Sequence, residues 1–259
     1  IGGARTVLAG EDIALITGRN PRVISATASG GLENLSDLLF LRGVDIALVP
    51  SNALAHAEGV ASLGPNLRQR ITYVARLYNE EIHLLVGREV SSLTDLDGKK
   101  VGIAVNDGNA EFTATDLFKR LGITIEVIPH APANAIEQLR SGEIAALMLI
   151  GGKPVSFVAR LPKDSSVRLL ELPFPKSVDD AYAPAVFRAS DYPNLIPSRA
   201  SVEALSVTAV LMTTNGRGSE ASQRRVIPFV SAFFEGLTTR RTADLHPKWM
   251  EVNLAASVP

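Results

Sequence analysis

Two stretches of this chain spell nearly the same pattern. One reads Leu41-Arg42-Gly43-Val44-Asp45-Ile46-Ala47-Leu48, the other Leu139-Arg140-Ser141-Gly142-Glu143-Ile144-Ala145-Ala146-Leu147. Each is an Arg and Gly turn, an acidic residue and a short apolar run. Each follows an extended apolar segment, a glycine loop and a predicted helix, in Ile24 to Asn34 and in Val101 to Leu121. A chain that builds the same strand, Gly loop, helix and strand twice is expected to form two similar α/β lobes. Gly loops facing each other across two such lobes make a cleft suited to a small molecule.

Composition narrows the options. A length of 259 residues suits two domains or one large one, and 46% hydrophobic residues suffice for a sizeable core. The net charge of −1 argues against nucleic acid, which calls for a basic surface. No run reaches the ~18 apolar residues of a membrane-spanning helix. Cysteine is absent, which removes disulfides, thiol catalysis and Cys-ligated metal, and is compatible with an oxidising compartment. The chain opens at Ile1 inside what reads as a Gly loop, and ends at Val258-Pro259 without a stop signal. It therefore reads as a trimmed piece of a longer precursor, in which a signal peptide would not be visible.

Along the chain, Ile1 to Gly10 reads as a Gly loop entering a helix, and Val23 to Ala28 as a strand. Leu35, Leu38 and Leu39 have helical spacing, and Asp45 to Val49 is a short buried strand closed by the capping run Pro50-Ser51-Asn52. Ile71 to Leu77 and Ile82 to Val86 read as two strands separated by Tyr78-Asn79-Glu80-Glu81. Val101 to Val105 is a strand apolar on both faces, and Asn106 to Asn109 a turn. Phe112, Leu117, Phe118 and Leu121 mark a helix stopped by Gly122. Strands at Ile123 to Ile128 and Ile144 to Ile150 flank a helix at Asn134 to Ser141. A strand at Val167 to Leu172 follows, then an irregular Pro173 to Pro197. Val207 to Thr213 is a strand, and Ser219 to Leu237 a helix with Phe229, Phe233 and Phe234 turned inward.

This alternation predicts an α/β class with mostly parallel sheets and helices on both faces. Lobe one is expected to comprise residues 1–86 and 203–259, and lobe two residues 87–202. Crossings near Leu84 to Val90 and Tyr182 to Leu205 would suit a hinge, since closure then twists few residues.

Several motifs resemble one family. Ala28-Ser29-Gly30-Gly31-Leu32-Glu33-Asn34-Leu35 resembles the "GS-x-EN" loop of TAXI-type solute receptors of TRAP transporters. Val44 to Asn52 is similar to their "DLALVQSD" segment, and Leu77-Tyr78-Asn79-Glu80-Glu81-Ile82-His83 to their "LYPEPVH". Ser92-Leu93-Thr94-Asp95-Leu96-Asp97-Gly98-Lys99-Lys100-Val101 resembles the "SLADLKGKRV" of type II periplasmic binding proteins, and Gly151-Gly152-Lys153-Pro154 the "GGxP" loop. The resemblance runs from Ile1 to about Phe234. It implies a bilobed Venus-flytrap receptor that captures a solute outside the cytoplasmic membrane, in the periplasm, and delivers it to a permease. Two departures concern the solute. Asn106-Asp107-Gly108-Asn109-Ala110-Glu111 stands where a Gly-Ser-Gly-Thr type loop is usual, and Ala4-Arg5-Thr6 where Thr-Tyr-Tyr is common. Solute identity therefore does not transfer.

Helix starts after Gly loops present free N–H groups and the positive end of the helix dipole, and so bind anions. Three are predicted, at Gly2-Gly3-Ala4, Ser29-Gly30-Gly31 and Asp107-Gly108-Asn109, alongside Asn106; any of them can equally be an ordinary turn. Arg5 suits a bidentate pair with a solute carboxylate, or is a solvated first-turn arginine. Asp107 and Glu111 suit an amine, a hydroxyl-rich solute or a cation, or else cap and complement their helix. Ser51 and Asn52 read as caps that can face the cleft. Tyr78, Asn79 and Glu80, and the loop of Gly151, Gly152 and Lys153, are the remaining candidate contacts.

Enzyme signatures are missing. His56, His83, His130 and His246 lack metal-ligand spacing, and there is no G-x-S-x-G elbow, Walker loop or G-x-G-x-x-G. Trp249 reads as an anchor for the tail. The expectation is a monomeric solute-binding protein without catalytic activity, cofactor or metal. Its partners would be a small-molecule solute, best matched by a carboxylate, and the membrane permease subunits of a TRAP transporter. The alternatives are an ABC importer's binding protein, a ligand-sensing domain, or a binder of apolar cargo.

Overall fold

The structure, a computed structural model, describes residues 2–18, 21–26, 30–104, 108–130, 132–163, 166–215, 220–239 and 245–254. In chain order its elements are α1 (Gly2–Thr17), α2 (Gly31–Phe40), β1 (Ile46–Pro50), α3 (Ser51–Ala57), α4 (Leu67–Arg70) and β2 (Ile71–Val86). There follow β3 (Lys99–Ala104), α5 (Gly108–Arg120), β4 (Ile125–His130), α6 (Pro132–Ser141) and β5 (Ala146–Gly151). The last are α7 (Ser156–Ala159), β6 (Arg168–Leu169), β7 (Ala183–Arg188), β8 (Ser201–Thr214) and α8 (Glu220–Thr239).

The chain divides into two compact units, a terminal one of Gly2–Tyr78 with Ala209–Pro259 and a central one of Asn79–Thr208. It passes between them twice, inside β2 and inside β8.

In the central unit, β3, α5, β4, α6 and β5 alternate strand and helix, and β3 pairs parallel with both β4 and β5. Helical crossovers make that parallel pairing possible. α5 ends where Gly122 takes φ 72°, and the Ile123 N–H reaches back to the Phe118 carbonyl at 2.9 Å. β5 is buried throughout, and its residues alternate between two cores. Ala146, Met148 and Ile150 join Ile82 and Leu84 of β2, while Leu147 and Leu149 join Leu85, Phe187 and Tyr192. A strand covered on both faces reads as a continuous apolar run, as this one does.

In the terminal unit, β1 pairs antiparallel with the end of β8, Ile46 opposite Thr213. One core gathers Ile13 and Ile16 of α1, Leu77 of β2, Leu211 of β8, and Phe229 and Phe233 of α8 around Trp249. Trp249 does anchor the tail: its indole N–H donates to the Asp12 carboxylate at 2.6 Å.

The repeated punctuation performs the same task in each unit. α2 and α6 both end before a glycine with positive φ, Gly43 at 96° and Gly142 at 77°, and each leads into a strand, β1 or β5. That backbone conformation favours glycine.

Four expectations need correction. The sheet is mixed, not mostly parallel: β1 with β8, β2 with β5, β2 with β6 and β7 with β8 pair antiparallel. The run from β3 to β5 has helical crossovers, whereas β7 turns back into β8 with no helix between them. Residues 71–86 form one strand, because Tyr78 to Glu81 stay extended while their side chains find partners. Pro173 to Pro197 holds β7, where Pro184 is tolerated in a strand paired with β8. Residues 22–26 are irregular, with Ile24 exposed; Thr27 and Ala28 lie outside the described residues.

Candidate functional site

The terminal unit brings four of the candidates together. Gly30 precedes α2 with φ 154°, and Gly31 is the buried first residue of that helix. A Cβ at Gly31 would lie 2.7 Å from Pro50 Cδ and 2.8 Å from Ala53 Cβ, so its absence lets α2 approach the start of α3. Ser51 and Asn52 open α3. Asn52 is buried, and its Oδ1 accepts the Ala53 N–H at 2.9 Å, satisfying a first-turn donor. Pro50, not Ser51, occupies the cap position. Asn34 adds a tie, donating from Nδ2 to the Leu48 carbonyl at 2.7 Å. Tyr78 is half-buried and meets Trp249 edge-on at 5.3 Å between ring centres.

Gly3, Ala4 and Arg5 fall in the first turn of α1, so the Gly run is helix and not loop. Their side chains lie outside the described residues, as do Ser29, Asn106 and Asp107 altogether.

The central unit gathers a second group. Gly151 ends β5 opposite Glu81 of β2, and Asn79 and Glu80 precede Glu81 in the same strand. Asn79 Oδ1 accepts from Thr208 Oγ1 at 2.9 Å. The Lys153 ammonium donates to the Val186 carbonyl at 2.5 Å and lies 3.5 Å from the Asp191 carboxylate. Its charge is thus committed within the unit. Gly108 and Asn109 begin α5, with side chains outside the described residues. Glu111 is an exposed carboxylate in the first turn of that helix, where the dipole favours it.

Three buried polar residues here escaped the candidate set: Glu81, His83 and Tyr192. Glu81 Oε2 accepts the Lys153 N–H at 2.8 Å. His83 lies between the Glu81 carbonyl, 3.0 Å from Nδ1, and the Tyr192 hydroxyl, 2.6 Å from Nε2. The available signal was alternation: Glu81 and His83 share a strand face with Leu85, so both point into a core. Tyr192 had no local signal. Among the described residues, no group of three or more His, Asp or Glu is placed to hold a metal ion. No described helix is long and apolar enough to cross a membrane.

Comparison with solved structures supplies the wider context. One described as a periplasmic transporter superposes with a TM-score of 0.54 at 12% identity, covering 97% of this chain and 82% of that one. The substrate-binding protein of an amino acid ABC transporter gives 0.52 at 10% identity, over 93% and 86%. An ancestral arginine-binding protein bound to arginine gives 0.52 at 15%, over 94% and 85%. These likenesses establish the fold as the two-domain α/β type of periplasmic binding proteins, the Venus-flytrap class expected from the sequence. The NMT1-like family model matches residues 8–256, across both units and every candidate position except Gly3, Ala4 and Arg5. The chain belongs to the NMT1-like family.

Proposed function

We propose that this protein is an extracytoplasmic receptor that binds a small organic solute and hands it to a membrane permease. The observation carrying this reading is the joint one of family and fold: the family match spans 8–256, and the fold shared with a substrate-binding protein covers 93% of the chain. In such a receptor the two units act as lobes. A solute that binds the closed arrangement better than the open one drives closure, and exclusion of water strengthens each polar contact.

The candidate contacts favour main-chain recognition. The first turns of α2 and α5, after Gly30 and at Gly108, offer N–H groups to a carboxylate. Gly151 and Gly152 carry no side chain of their own over the main chain there. Gly3, Ala4, Arg5, Ser29, Gly31, Ser51, Asn52, Tyr78, Asn79, Glu80, Asn106, Asp107, Asn109, Glu111 and Lys153 complete the proposed set, with Asp107 and Glu111 suiting an amine on the same solute. We take the permease to be of the TRAP type, on the ordered run of motifs from Ala28 to Pro154 that resembles TAXI receptors. The ABC importer is the second reading, favoured by the likeness to an amino acid ABC transporter's binding protein.

A thermal-shift screen tests the receptor reading. Protein unfolded and refolded to shed cargo is screened against small carboxylates, amino acids, polyamines, sulfonates and hydrophobic acids. A solute at 100 times its Kd stabilises by about 2.7 kcal/mol, a readily measured shift. A saturable shift with one chemical class is expected; no shift with any class contradicts the proposal.

A further inference from the structure

Two titratable side chains of the central unit are buried without a place among the contacts above: Glu81, 3% exposed, and His83, 0%. Burying such groups is costly unless they are well bonded, and an apolar pair in their place would serve stability as well. Their bonds instead converge on one loop. Glu81 Oε2 takes the Lys153 N–H at 2.8 Å, and the Glu81 carbonyl faces His83 Nδ1 at 3.0 Å. A carbonyl only accepts, so Nδ1 carries the ring proton. Nε2 then accepts from the Tyr192 hydroxyl at 2.6 Å, and Tyr192 Oη in turn accepts the Val155 N–H at 2.9 Å.

The bonds form a closed circuit. It runs from the Glu81 main chain through His83 and Tyr192 to Val155, then along the loop to Lys153 and back to the Glu81 carboxylate. The residue between the two pinned amides is Pro154, which has no N–H to hold. Every amide of that stretch is therefore tied to a side chain. Packing keeps the circuit in place: His83 stacks on Phe187 at 4.4 Å between ring centres, and Tyr192 meets both rings edge-on at 5.5 Å. The Lys153 ammonium adds a third tie, through the Val186 carbonyl and Asp191.

We propose that Glu81, His83 and Tyr192 are positioning residues that hold the Gly151–Val155 loop in one shape before a solute arrives, so that its main chain meets the solute preorganised. The proposal rests on the receptor reading. An unpinned loop would be ordered at the expense of binding, and affinity would fall.

The test uses Tyr192→Phe, which keeps the ring and removes the hydroxyl, together with Glu81→Ala and Glu81→Gln, the last retaining an acceptor for the Lys153 N–H. Amide hydrogen exchange is read by NMR on solute-free protein. We expect Val155 to exchange at least about tenfold faster in Tyr192→Phe, and Lys153 likewise in Glu81→Ala, with Met148 and Ile150 of β5 unchanged. Glu81→Gln should restore protection at Lys153. Unchanged exchange at Val155 overturns the proposal. So does equal acceleration at Val155 and in β5, the mark of a merely structural role.

A second arm measures Kd for succinate, L-glutamate, L-arginine and taurine. If one binds the wild type, Tyr192→Phe should bind it about tenfold more weakly; equal affinity overturns the proposal. If none binds the wild type, the receptor reading fails for these classes. The exchange arm still decides whether the circuit holds the loop.

Discussion

Replacing Gly236 of α8 by alanine sets two effects of opposite sign against each other. Alanine in place of glycine inside a helix gains about 1 kcal/mol from propensity alone. Here the added Cβ would collide with the Ile16 carbonyl oxygen and lie 2.7 Å from the carbonyl carbon and 3.0 Å from Ile16 Cγ2. The obstacle is the backbone of α1, which cannot rotate aside as a side chain tip can. Overpacking of this kind costs typically about 1–3 kcal/mol, and a backbone clash belongs at about 3. The balance is a net loss of about 2 kcal/mol. Trp249 is the sole tryptophan and packs 6.3 Å from Phe233 in the same core, so its fluorescence reports on this unit. In a urea titration the midpoint of Gly236→Ala should fall by about 1 M with an unchanged slope. The exposed neighbour Glu235→Ala should move stability by no more than about 0.5 kcal/mol. A midpoint for Gly236→Ala that rises or stays would refute the close approach of α1 and α8.

Three further predictions rest on single contacts. Trp249→Phe keeps an aromatic ring but strips Asp12 of its indole donor, and should destabilise by about 2 kcal/mol in urea unfolding followed by circular dichroism. Gly31→Ala drives a Cβ against Pro50 and Ala53 and should cost about 1–3 kcal/mol in the same assay. The Asp95 carboxylate takes N–H groups from Ser91 and then Ser92, which hold its pKa below the ordinary value. A lowered folded-state pKa means stability present above about pH 4 and lost as pH falls through that lower value. Wild type should therefore exceed Asp95→Asn at about pH 6, with the gap closing on acidification; a gap constant with pH contradicts this.

What could be read from the residues follows from how local the signals were. The two Arg and Gly turns before β1 and β5 announced themselves because a helix end and a left-handed glycine are short-range features. β3 to β5 were legible for the same reason, with helix and strand periods alternating cleanly. β2 was not, since the polar run Tyr78 to Glu81 reads as a break until its partners Thr208 and the Lys153 N–H are known. The crossing points between units fall inside β2 and β8, with no glycine or proline to mark them. Among site candidates, Gly151 to Lys153 stood out by their likeness to a GGxP loop. The circuit behind them did not, since Tyr192 reaches His83 across 109 residues of chain. β7 was masked by the prolines around it.

The central claim is that this chain binds a solute, and isothermal titration calorimetry on refolded protein tests it most directly. Succinate, L-glutamate, L-arginine, taurine and a hydrophobic acid such as octanoate would each be titrated. The account predicts saturable heat from one class with one site per chain. Absence of saturable heat from every class would contradict it.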